Sequence, residues 1–314
     1  MADAVKIKKK ASTRSRLNRI KPRDAVFNVF NYLFFSLFAF TCIFPFYYLF
    51  INTISNNELI QIGEITFIPK GIHFDNYIAL RNVSNLLNSL LVSVGRTVIG
   101  TVTMVAASGF VGYLVTKKEL WGRKIWYRFI IITMYFNAGL IPWYLNMAML
   151  GLTNNFMAYI LPWIISPFNV ILVKTYIESI PKELEESAFM DGAGYFRIFR
   201  SIIWPVCKPI LATIAIFGAV AQWNSFIDTM ILMRDNPKLY SLQYQLYVYL
   251  KTTSNLKALM ESGGSISDAQ IQSVLNMRTV KFTVAMITVL PVIMIYPLMQ
   301  RYFVKGIMVG AIKG

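Results

Sequence analysis

The sequence predicts an all-α, polytopic membrane protein with six transmembrane helices, and three observations carry that prediction. The chain is 56% hydrophobic and only 15% charged, where soluble domains carry about 25% charged residues. Its apolar residues fall into runs of about 20 or more, the length needed to cross the hydrocarbon core as a helix. Its basic residues cluster at the ends of those runs, where they set orientation. Backbone groups in lipid must bond within their own segment, so each run is read as a helix.

The runs follow in order. Residues 25–57 contain no charge and give span one. Residues 86–116 give span two, interrupted by Arg96. Residues 129–173 are uncharged but too long for one crossing, and the turn-forming cluster at 151–155 splits them into spans three and four. Residues 203–233 give span five and residues 282–300 give span six. The basic segment 1–24 is a tail held near anionic headgroups. It is not a secretory leader, because the apolar segment behind it is too long and lacks a small-residue cleavage site.

Six spans place both termini on one side. The tail, the loop 117–124 and the end carrying Arg301, Lys305 and Lys313 are all basic, which makes that side cytoplasmic. The net charge of +16 therefore serves topology, and nucleic acid is not an expected partner. The single histidine, His73, and the two cysteines, Cys42 and Cys207, offer neither a metal site nor a disulfide. Two outer loops are long, about 55–85 and about 234–278. The second holds Tyr240, Tyr244, Tyr247 and Tyr249, then a glycine pair, Gly263 and Gly264, that reads as mobile. Beyond it, Ser267 and Gln270 have the spacing that opens a helix.

One polar insert, about 181–202, interrupts the apolar pattern on the cytoplasmic face. Pro181 suits a first helical position, and Glu183, Glu185 and Glu186 favour a helix N-terminus. Glu186 and Met190 share a face. Asp191 and Gly192 end the helix in a turn that a side chain at Gly192 would strain. A second helix carries Arg197 and Arg200, and Pro205 opens the next span. A rigid, charged hairpin between two membrane helices is suited to docking a soluble partner that moves it.

The order Glu186-Ser187-Ala188, three residues, Gly192, nine residues, Ile202-Ile203-Trp204-Pro205 resembles the EAA signature of bacterial ABC importer permeases. Ser187 replaces the middle alanine and Trp204 a leucine, while the spacing is intact. Gly139-Leu140-Ile141-Pro142, Trp223-Asn224-Ser225-Phe226 and the ending from Gln300 to Gly314 extend the likeness to the carbohydrate-uptake branch, in particular its LplC/YtcP-like group. The resemblance implies a type I importer transmembrane domain, residues 25–305, in a bacterial plasma membrane. It implies a sister permease that is a distinct chain, two ATPase subunits that bind ATP and Mg, and an extracellular sugar-binding lipoprotein that delivers an oligosaccharide. Glu186, Ser187, Ala188, Asp191, Gly192 and Pro205 would couple to the ATPase. The tail 306–314, with Gly306, Gly310, Lys313 and Gly314, would reach the ATPase interface. Tyr240, Tyr244, Gly263 and Gly264 would meet the binding protein. The chain has no Walker-type phosphate loop and is not itself an enzyme.

Aromatic faces stack on sugar rings and amides bond hydroxyls, so Asn137, Trp143, Trp223 and Asn224 are expected along the substrate path. Arg96 either snorkels to an interface or faces the path, where it would suit acidic sugars. The rival reading is an ion-coupled secondary carrier, which needs carboxylates within its spans. Asp228 is the only acidic residue there. A membrane-embedded enzyme would need a cluster of nucleophile, base or metal ligands at one depth, and a pure scaffold would have no use for the hairpin.

Overall fold

The computed structural model describes residues 22–79, 85–261, 280–295 and 297. All regular secondary structure among these is helical. The chain divides into two units, residues 1–48 and 49–314. Helix α1 (Pro22–Thr53) begins in the first. Two short helices follow, α2 (Asn57–Gln61) and α3 (Asp75–Ala79), and then the long α4 (Leu86–Leu114). Next come α5 (Arg123–Tyr135) and α6 (Leu140–Met149). Two 3₁₀ turns, Phe156–Tyr159 and Leu161–Trp163, lead into α7 (Pro167–Glu178).

Helices α8 (Glu183–Met190) and α9 (Tyr195–Ile198) form the polar insert. A π turn (Phe199–Ile203) and α10 (Trp204–Val206) join it to α11 (Lys208–Asn224). Helix α12 (Ile227–Leu232), α13 (Leu242–Glu261) and α14 (Val280–Ile295) are the last helices among the described residues.

Among the described residues only two helices are long and apolar enough to cross a membrane unaided, Val26–Thr53 and Leu86–Leu114. They match expected spans one and two. The count rises to four if each bent pair is one span: Phe156–Trp163 with Pro167–Glu178, bent by 43°, and Tyr195–Val206 with Lys208–Asn224, bent by 81°. The expected third span is two shorter helices, because Phe136 leaves helical backbone and Gly139 has a φ of +89°. The expected fifth is interrupted again at Ser225 and Phe226. These breaks divide apolar runs that hydropathy reads as continuous, so uninterrupted helix length alone does not give six crossings among the described residues.

Helix α4 is the hub, packed against α7 and α11. One core cluster gathers Tyr113, Val173, Ile177, Ala188, Ile198, Phe199, Ile203 and Leu211, which seats the polar insert on α4 and α7. A second gathers Met147, Leu152, Tyr159, Ile160, Leu232 and Met233 around the hairpin before α7. That hairpin turns at Gly151 and at Asn154, both with positive φ, as the sequence pattern at 151–155 indicates.

Candidate functional site

The insert is a closed structural unit. Helix α8 starts at Glu183 with Glu185 and Glu186 in its first turn, where the helix dipole favours negative charge. Pro181 lies just outside the helix, and Lys182 is the capping residue. At the other end Gly192 N–H donates to Phe189 O and Ala193 N–H to Ala188 O, both 3.0 Å. These two bonds are a Schellman cap, which requires a left-handed residue, and Gly192 has a φ of +79°. Asp191 is the C-cap. The chain then re-enters helix at Tyr195, and Ile198, Phe199 and Ile203 are buried. Pro205 sits in α10, just before the 81° bend.

Two layers fix the insert from behind. Ala188 is buried in the cluster with Tyr113 and Ile177. Glu185 pairs with Lys117 of the loop after α4, and the Lys117 ammonium lies 4.1 Å above the Tyr113 ring. Phe199 stacks edge-on against Phe110 and Trp204. The outward side is left open. Glu186, Ser187, Asp191 and Gly192 are exposed, Met190 is 88% exposed and Phe196 is 65% exposed. Beside them runs a cleft of about 590 Å³, lined by Lys117, Lys118, Arg123, Lys182, Glu185, Glu186 and Tyr195 among others. The outward side thus combines mixed charge with two exposed apolar side chains, Met190 and Phe196.

A second cavity of about 360 Å³ opens between α4, the start of α7 and α11. Its wall includes Met104, Trp163, Ser166, Asn169, Phe217 and Gln222. Arg96 stands one turn from it on α4 and is fully buried. Its Nε donates to Gln222 Oε1 at 3.1 Å, and its two terminal nitrogens donate to Gln222 Oε1, Asp228 and Ser225 O. The guanidinium lies 4.1 Å from the centre of the Tyr159 ring. Arg96 therefore does not snorkel.

Residues 12–309 match the family described as "Binding-protein-dependent transport system inner membrane component". The chain belongs to this family. Similar family members from Bacillus subtilis (strain 168) include the polygalacturonan/rhamnogalacturonan transport system permease protein YtcP, 32% identical over 93% of this chain and all of that one. Protein LplC of the same organism is 32% identical over 92% of this chain and 95% of its own length. The arabinooligosaccharides permease AraQ is 27% identical over 94% and 99% of the two chains. A solved bacterial ABC transporter involved in alginate import superposes with a TM-score of 0.77 at 30% identity, covering 90% of this chain and 98% of that one.

Within this inner-membrane component, the residues expected along the substrate path do not line the 360 Å³ cavity. Trp223 is buried and donates its indole N–H to Thr288 O at 2.9 Å. Asn224 is exposed at the end of α11. Trp143 packs on the cluster around Tyr159. Asn137 uses Oδ1 to accept the Gly139 N–H. The Arg96 side chain reaches the cavity wall through its hydrogen bonds to Gln222. Ser166, Asn169 and Gln222 form that wall and were not singled out from sequence. Their signal was three polar residues placed in apolar stretches, weaker than a tryptophan beside an asparagine. Tyr240 and Tyr244 meet edge-on at the start of α13, with ring centres 4.9 Å apart. Gly263, Gly264 and the tail residues Gly306, Gly310, Lys313 and Gly314 lie outside the described residues, as does the Ser267–Gln270 segment. No metal-binding group of His, Cys, Asp and Glu occurs among the described residues.

Proposed function

We propose that the chain is the permease subunit that forms half of the translocation pathway for an oligosaccharide and couples it to ATP hydrolysis through the α8 hairpin. The observation that carries this reading is the hairpin itself. Its inner side is buried in the α4–α7 core, while Glu186 and Met190 on its outer side are left to solvent. Such an element transmits a push without absorbing it, because its turn is capped and its helices are anchored. The family supports paired permease, ATPase and binding-protein partners, and the reading makes these two ATPase subunits at the hairpin, holding ATP and Mg, a distinct sister permease that completes the pathway, and an extracellular sugar-binding lipoprotein.

The full reading has six crossings with both termini in the cytoplasm, the bent pairs counted as single spans. Residues 1–24 and 306–314 are cytoplasmic tails, 25–305 the permease domain, and the segment from about 234 to 278 lies outside with Tyr240 and Tyr244 toward the binding protein. An oligosaccharide is favoured because YtcP and AraQ are named for polysaccharide and oligosaccharide transport. An ion-coupled carrier is not favoured, since Asp228 is already held by Arg96. The test is ATP hydrolysis by the complex purified with its co-expressed partners. Sugar-loaded binding protein should stimulate it, and Glu186→Lys should abolish that stimulation while the permease still inserts. Normal stimulation in the variant overturns the assignment of the hairpin.

A further inference from the structure

Helix α11 stops at Asn224 and α12 resumes at Ile227, so the backbone opens beside the cavity. Inside a membrane protein such a break must have its freed carbonyls satisfied by neighbouring groups. Arg96 does this from α4, donating to Ser225 O at 3.3 Å. A guanidinium has five N–H bonds. Here one goes to Ser225 O, two to Gln222 Oε1 and two to the carboxylate of Asp228. None is left for a sugar carboxylate or hydroxyl.

The five bonds straddle the break. Gln222 stands before it, on the cavity wall, and its amide also donates to Tyr159 O at 3.0 Å. Asp228 stands after it and accepts the Thr229 N–H at 2.8 Å. From Thr229 the contacts continue outward. Its hydroxyl bonds Ser241 Oγ at 3.0 Å, and the next residue, Leu242, donates its N–H to Ser93 Oγ on α4 at 2.7 Å. The Tyr159 hydroxyl closes the set, donating to Leu239 O at 2.7 Å. Gly100, one turn along α4 from Arg96, leaves the space in which the Gln222 amide sits, since a Cβ there would lie 2.8 Å from Nε2.

We infer that Arg96 and Asp228 are a positioning pair that makes the cavity wall at Gln222 and the outer segment 227–242 move as one body. A binding protein seated on the start of α13 would then be felt at the cavity through this bracket. The inference rests on the importer reading. It assigns Arg96 a mechanical role in place of contact with substrate.

The test uses the whole complex, with the ratio of stimulated to basal ATP hydrolysis as the readout. Paired replacement, Arg96→Met with Asp228→Leu, removes both charges and keeps the volume, which buried pairs commonly tolerate. The expected result is an assembled complex whose stimulation by sugar-loaded binding protein falls about tenfold, the ordinary size of a coupling between sites. Gly100→Ala, which displaces Gln222 and leaves both charges, should lower the same ratio. Should the paired variant not assemble, Thr229→Val with Ser241→Ala cuts the bracket at its outer end and should lower it too. Full stimulation in any assembled variant of this set overturns the inference. Absence of stimulation in the unsubstituted complex overturns the importer reading itself, a distinct outcome.

Discussion

Lys117 and Glu185, 68 positions apart, form an ion pair that ties the loop after α4 to the first turn of α8. Both side chains are mostly shielded, at 12% and 18% exposure. Both residues line the charged cleft beside the hairpin. In a double-mutant cycle with Lys117→Gln and Glu185→Gln, the coupling should reach at least about 1 kcal/mol, the upper end for exposed pairs, because this one is shielded from water. Thermal unfolding of the purified complex measures it. Strict additivity of the two substitutions would show that the pair does not hold the hairpin.

Gly192→Val should leave the membrane helices in place and disturb the turn alone. A β-branched residue at a φ of +79° costs about 1–3 kcal/mol of local strain. There is open space around the position, so the cost is conformational rather than steric. The expected outcome is normal insertion with loss of sugar-stimulated ATP hydrolysis. Gly192→Asn, which tolerates left-handed backbone better, should restore part of it.

Met190→Ser and Phe196→Ser test the apolar part of the docking surface. Both side chains are now largely in solvent, so neither change should lower the stability of the permease by more than about 0.5 kcal/mol. Burying such a side chain against a partner contributes about 1.5–3 kcal/mol, so each substitution should weaken retention of the ATPase subunits by tenfold or more. Pull-down of the ATPase on immobilised complex at rising dilution reads this directly. Equal retention would remove these residues from the contact.

Much of the site was legible in the sequence because its spacing is local. The acidic first turn of α8 and the glycine at its cap lie within about ten positions, and helix periodicity orders them without help from the fold. What sequence could not give is what distant segments bring together. Nothing at position 96 announces a partner at 228, and an arginine inside an apolar run reads equally as a snorkelling residue or a pathway charge. The cavity polars Ser166 and Asn169 at the start of α7 and Gln222 on α11 became a group only when the two helices packed against α4. Uninterrupted helix length departs from the six apolar runs for a related reason. Hydropathy measures apolar length, whereas a break at Ser225 is set by which neighbour is present to bond the freed carbonyl.

Arg96→Leu alone should be far more damaging than the paired change. It leaves Asp228 buried without its partner, a loss of about 3–5 kcal/mol, and frees the carbonyl of Ser225. The single variant should be recovered in low yield, and adding Asp228→Leu should restore most of it. Expression followed by size-exclusion chromatography compares the two. A stable Arg96→Leu protein would mean that Asp228 finds water or another donor.

The most direct test of the hairpin as the joint to the ATPase is disulfide crosslinking from a single cysteine. Met190→Cys, with Cys42 and Cys207 replaced by serine and alanine, is paired with cysteines along the adjoining ATPase groove in native membranes. The account predicts crosslinking to the ATPase that changes in extent when ATP is added, with the position closed to impermeant thiol reagents from outside the cell. Labelling of that cysteine from the outer face, with no crosslink to the ATPase, would contradict it.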